Sequence, residues 1–176
     1  MNEEMDVNRY INFLLTRRSI RKFKDKNIDD DTILKILDIA RYAPSAHNSQ
    51  PWEFIIIRDR DILKELSKIH YGAKPLSRAP LAIVVVCNPS ESPTSYLVDC
   101  ANATMYILLA AHALGLGCVW IQTLRDIDKI RKILNIPRNL IPVSIIAVGY
   151  PDERPEAPWR KPLNQLIHYD KYSGRR

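Results

Sequence analysis

Residues 81–87 read LAIVVVC, seven apolar side chains without a polar break. Successive side chains along a strand point to opposite faces, so a strand with no polar alternation needs apolar cover on both sides. Residues 143–149 (VSIIAVG) form a second buried strand, and 53–58 (EFIIIR) and 118–122 (CVWIQ) supply two more. Helical periodicity fills the intervals. Residues 7–17 put Val7, Tyr10, Ile11, Leu14 and Leu15 on one face behind a cap at Asp6. Residues 31–42 turn Ile33, Ile36, Leu37 and Ala40 inward behind a cap at Asp29 or Asp30, and Pro44 ends that helix. Residues 61–70 and 126–134 are shorter helices. Strands alternating with helices predict a layered α/β or α+β sandwich.

The longest helix spans residues 95–114 and is apolar almost all round, which places it centrally and against a partner subunit. Gly115 and Gly117 read as the glycines that stop it. They follow a helix and precede a strand, the reverse of a phosphate-cradling turn, so a Rossmann domain is excluded. Residues 71–80 read as a loop and 88–94 as an exposed, turn-rich connection. Residues 150–176 hold four prolines and little periodicity, an arm ordered by wrapping a partner. No repeat or linker divides the chain, so residues 1–176 read as one domain.

Net charge is +6, yet basic residues cluster only at 17–22 (RRSIRK) and around Arg160 and Lys161. Two short clusters suit one small anion better than a duplex, so no nucleic-acid partner is expected. No apolar run reaches the ~18 residues of a membrane span. The opening stretch has no basic region followed by an apolar one, so no secretory signal is expected. Cys87, Cys100 and Cys118 fit neither a zinc motif nor a disulfide framework. They read as buried free thiols in a reducing cytoplasm.

Nucleophilic and metal chemistry find little support. There is no G-x-S-x-G, and His47, His70, His112 and His168 lack a placed partner. His112, on the apolar helix, reads as a satisfied core histidine. No ligand spacing for a metal repeats. What remains is residues 43–52 (APSAHNSQPW), a polar segment bracketed by Pro44 and Pro51 beside an apolar strand. Prolines withhold their N–H groups and push the preceding residues toward extended geometry, so the polar side chains here escape regular pairing. Amides, hydroxyls and separate cations suit a cofactor that carries the chemistry itself.

These segments resemble the FMN-dependent nitroreductase family in its short form. The resemblance rests on five pieces in order over residues 14–167: RRSIRKF at 17–23, APSAHNSQPW at 43–52, ALGLG leading into VWIQ at 113–122, VGYP at 148–151 and PWRKPL at 158–163. It implies an α+β fold, a three-layer sandwich whose central, mostly antiparallel or mixed sheet is flanked by helices. It implies an intertwined homodimer with exchange of the C-terminal arm and FMN at the interface. By resemblance Arg17 and Ser19, with Arg18 beside them, hold the ribityl phosphate, and Arg21 reaches the flavin pyrimidine edge. Pro44, Ser45, Ala46 and Asn48 meet the ring from the partner subunit, and Asp99 falls near the ring. Gln122 and Thr123 bring a backbone N–H to flavin N5, although relatives commonly have Gly at the position of Thr123. Arg160 and Lys161 close over the phosphate. Residues 71–80 match poorly and add no residue to this set.

The implied activity is reduction of nitroaromatics, quinones or similar small acceptors by NADH or NADPH through FMN, in ping-pong order, with no metal and no catalytic side chain. Other FMN reactions on this fold, whether oxidative, dehalogenating or flavin-fragmenting, are the alternative. A basic nucleic-acid binder is a distant one. Larger relatives have a helical insertion where this chain has only residues 88–94, so the pocket is expected to be open.

Overall fold

The computed structural model describes residues 7–172. Along β2 (Leu81–Cys87) the side chains divide by parity. Leu81, Ile83, Val85 and Cys87 enter one apolar cluster, and Ala82, Val84 and Val86 enter another. β4 (Ile141–Gly149) divides likewise, with Ile146 and Val148 in the first cluster and Ile145 and Ala147 in the second. β2 is apolar throughout, and β4 apart from Ser144, because each face has its own core.

β1 (Trp52–Ile57) and β3 (Gly117–Gln122) flank them in the order β1-β2-β4-β3, with every pairing antiparallel. α2 (Asp30–Ala40) and α4 (Tyr96–Ala113) cover the first face. α3 (Arg60–Leu66), α5 (Ile127–Leu134) and a 3-10 turn over Tyr71–Ser77 cover the second. The result is the expected α+β three-layer sandwich. No helix among the described residues is long and apolar enough to cross a membrane.

Local chemistry explains the element ends. Asp29 caps α2, accepting the Thr32 N–H at 2.7 Å and the Thr32 hydroxyl at 2.9 Å. Those hydrogen bonds hold its carboxyl below the usual range. α1 (Val7–Thr16) has the expected apolar face, but Val7, Tyr10, Ile11, Leu14 and Leu15 are all exposed. Its proposed cap, Asp6, lies outside the described residues.

Four expectations are corrected. First, Cys87 and Cys100 are bridged rather than free, with Cα atoms 6.3 Å apart. The last residue of β2 and the second turn of α4 cross at that point, and only Cys118 is a free, buried thiol. Two of the three thiols behind the inference of a reducing compartment are therefore not thiols.

Second, Gly115 does stop α4, at φ 73°, but Gly117 opens β3 instead. A Cβ on Gly117 would fall 2.8 Å from the buried Ile20 side chain, so the residue is small to admit Ile20. Third, residues 71–77 are helical and bury Ala73, Pro75 and Leu76, because α3 ends early at Leu66 and the chain turns back onto the sheet. Fourth, the 88–94 connection is not exposed throughout: Ser92 is buried against Asp99.

Candidate functional site

After α1 the chain joins the open edge of β3. Ser19 bridges Cys118 in parallel, the Ile20 N–H donates to the Cys118 carbonyl at 2.9 Å, and Phe23 bridges Pro151. Ile20 and Phe23 plug into the second core, while Arg17 and Arg21 lie at the rim with Ser19 between them in sequence. Arg17, Arg18 and Arg154 line a cavity of about 390 Å³ with Thr16 and His112. Arg21 lines a second, of about 590 Å³, with Lys22, Lys74 and Arg78.

The ion pairs among the described residues are Arg41–Asp38, Arg58–Asp30 and Arg131–Asp128. None involves these rim cations, although Glu153 lines both cavities. Arg18 differs from its neighbours. Its guanidinium turns back to donate to the Leu15 and Arg17 carbonyls at 2.6 and 2.9 Å, closing the C-terminus of α1.

The 43–52 loop is built around a buried carboxylate. Asp99, in the first turn of α4 and 3% exposed, accepts the Ala46 N–H at 3.0 Å and the Ser92 hydroxyl at 2.6 Å. Both its oxygens are thus engaged within the protein. Asn102, one turn on, donates to the Pro44 carbonyl at 3.0 Å, and the Ser45 hydroxyl accepts the Gln50 N–H at 3.0 Å. His47, Asn48 and Gln50 take positive φ values of 53°, 55° and 47°. The Asn48 side chain is exposed. Ser49 Oγ is the buried side-chain polar atom without a partner among the described residues.

At the far end of β3, the Gln122–Thr123 peptide is held from both sides. His70 Nε2 lies 2.8 Å from the Gln122 carbonyl, and the buried Thr123 hydroxyl donates to the Pro142 carbonyl at 2.6 Å. Gln122 also borders an apolar cavity of about 380 Å³ with Trp120, Leu124, Leu97, Ala101 and Val143.

The structure thus gathers Arg17, Arg18, Ser19 and Arg21 along one strand edge, and Pro44, Ser45, Ala46 and Asp99 in one hydrogen-bonded loop. No hydrogen bond among the described residues joins the two groups within the protomer. Arg160 and Lys161 lie on the exposed arm, where Arg160 bonds only to the Trp159 carbonyl.

Sequence reasoning missed Trp120, an aromatic at the cavity-lining edge of an apolar strand, and left out Lys74 and Arg78 because residues 71–80 matched poorly. It also missed His70 and Glu153, which reveal themselves only through contacts distant in sequence. Among the described residues no cluster of His, Cys, Asp and Glu could hold a metal ion.

Comparison with known proteins gives a consistent picture. The sequence profile described as the nitroreductase family matches residues 14–75 and 71–150. A protein of Methanothermobacter thermautotrophicus that carries the provisional name NADH dehydrogenase/NAD(P)H nitroreductase is 44% identical over 158 residues, 86% of this chain and 81% of its own. The solved FMN-dependent nitroreductase of Clostridium difficile superposes with a TM-score of 0.84 at 36% identity, covering 92% of this chain and 99% of its own. The NADPH:FMN oxidoreductase of Vibrio harveyi, solved with NAD+, superposes with a TM-score of 0.84 at 25% identity, over 93% of this chain and 77% of its own. With a profile spanning most of its length and relatives at these identities, the chain belongs to the nitroreductase family.

Proposed function

We propose that this chain is a homodimeric, FMN-dependent NAD(P)H oxidoreductase that reduces nitroaromatics, quinones or similar small acceptors. The observation that carries the reading is the set of cations outside any ion pair on the rim of β3, Arg17 and Arg21 with Lys74 and Arg78 nearby. A guanidinium fork and the Ser19 hydroxyl suit a phosphate dianion, so Arg17 and Ser19 take the ribityl phosphate. Arg21, joined by Lys74, faces the pyrimidine edge and stabilises the negative charge that a flavin gains there on reduction. The hydrogen bonds of His70 and Thr123 fix the Gln122–Thr123 peptide as a ready main-chain contact.

Bound FMN supplies the two-electron transfer from NADH or NADPH to the acceptor. The residues' work is to bind, orient and neutralise. Solvent supplies protons to an open pocket, since residues 88–94 are all that this chain has where larger relatives have a helical insertion, and the nicotinamide leaves before the acceptor enters.

The second subunit completes the site. The loop over residues 44–48 is not joined to the cationic rim within one protomer, which fits its reaching the partner's flavin. The exposed apolar face of α1 and the arm residues Trp159, Leu163, Leu166 and Tyr172 supply the surface such a dimer would bury. On the arm, Arg160 and Lys161 close over the phosphate.

Purified protein is expected to be yellow, to be bleached by NADH or NADPH without oxygen, and to elute as a dimer. Colourless protein that takes up no added FMN overturns the reading.

A further inference from the structure

One carboxylate borders every basic cavity on this side of the molecule. Glu153 lines the cavity of Arg17 and Arg18, the cavity of Arg21 and Lys74, and a third beside Lys24 and Lys26. A carboxylate in such company would ordinarily pair with a cation. None of the ion pairs among the described residues includes it.

Its Oε1 instead accepts two successive main-chain N–H groups, those of Arg21 at 2.5 Å and Lys22 at 3.2 Å, from 132 and 131 residues away. Consecutive amides converging on one anion form a strong site for negative charge. The rest of the segment is held by the buried Ile20 and Phe23 side chains and by main-chain hydrogen bonds: Ile20 to Cys118, Asp152 to the Lys22 carbonyl at 3.0 Å, and Lys24 to the Tyr150 carbonyl at 2.9 Å. Between those ties, at the bend that carries Arg21, Glu153 is the side chain holding the main chain. It fixes the backbone and makes no ion pair with the guanidinium groups.

We propose that Glu153 is a positioning residue for the anion-binding turn, setting the aim of Arg17, Ser19 and Arg21 through the main chain and not through an ion pair. The inference rests on the flavin reading for its ligand but not for its hold on the turn. Two variants separate acceptor from charge. Glu153→Gln keeps a carbonyl oxygen in place of the carboxylate, and Glu153→Ala removes both.

Amide exchange at Arg21 and Lys22 is followed by NMR in flavin-free protein, and FMN affinity by fluorescence titration. Glu153→Ala is expected to speed exchange at both amides and to weaken FMN binding by roughly 10-fold or more, as the loss of charge-assisted hydrogen bonds would. Glu153→Gln is expected to stay within about 3-fold of the parent on both readouts, since a carbonyl still receives the amides. Unchanged exchange or unchanged FMN affinity in Glu153→Ala overturns the proposal, as does an equal loss in Glu153→Gln.

If Glu153→Ala does not fold, Glu153→Asp takes its place. It keeps the charge but withdraws the oxygen by one methylene, and parental FMN affinity there also overturns the proposal. Failure of the parent protein to bind FMN would sink the flavin reading instead, with the exchange measurement still reporting on Glu153.

Discussion

The Asp99 carboxylate and the Ala46 main-chain N–H meet at 3.0 Å across 53 residues, joining the first turn of α4 to the 43–52 loop. The same carboxylate accepts the buried Ser92 hydroxyl. Asp99→Ala strands both donors, so the unfolding free energy is expected to fall by about 1–3 kcal/mol. Urea denaturation measures the drop. A parental midpoint would mean that water replaces the carboxylate at no cost.

The Cys87–Cys100 bridge closes a short loop, with 13 positions separating its ends. A cross-link of that span stabilises by about 3 kcal/mol, largely through the unfolded chain. Cys87→Ala with Cys100→Ala is expected to lower the urea midpoint accordingly. Both sulfurs are fully buried. Thiol reductant should therefore leave the native protein unchanged, yet abolish the difference between parent and variant once both are unfolded. Free-thiol counts on protein denatured without reductant check this directly: one thiol, Cys118, is expected, and three would remove the bridge.

Arg17→Ala combined with Ser19→Ala takes a guanidinium fork and a hydroxyl from the rim of β3. If these hold the phosphate, FMN binding weakens by about 2–4 kcal/mol. Riboflavin, which lacks the phosphate, should bind parent and variant alike. Equal loss for both ligands would move the phosphate elsewhere.

His112 makes stability depend on pH. Burial holds its imidazole below the ordinary value of 6.5, and Arg17 and Arg18 push in the same direction. Above 6.5 the ring is neutral whether the chain is folded or not. As pH falls through that value the unfolded chain takes up a proton that the folded chain still refuses, so stability declines until the lowered folded-state value is passed. Thermal midpoints taken between about pH 7.5 and 5.5 should fall more steeply for the parent than for His112→Gln. Parallel slopes would show that His112 titrates alike in both states.

The architecture was legible where burial is two-sided or periodic. β2 and β4 announce themselves because each residue lies in one of two cores, and α2 because its apolar stripe and Asp29 cap agree. Features set by where elements cross were not legible. The spacing of Cys87 and Cys100 says nothing of a strand end meeting the second turn of a helix. Gly117 looked like a helix stop because the intrusion of Ile20 is a tertiary fact.

The site divides in the same way. The RRSIRK turn and the proline-bracketed loop stood out by composition. Asp99 came only from the family resemblance, and its carboxylate accepts from Ala46 and Ser92. Glu153 and His70 act on main-chain atoms far away in sequence, and no local pattern encodes that.

The three left-handed residues His47, Asn48 and Gln50 have a consequence for how a ligand is met. None is glycine, and each carries on the order of 1 kcal/mol or more of conformational strain. Hydrogen bonds from Asp99, Asn102 and Ser45 hold the bend against that strain as the chain folds. A molecule docking here finds the curvature already set, so recognition at this loop should be fast and show little sign of induced fit.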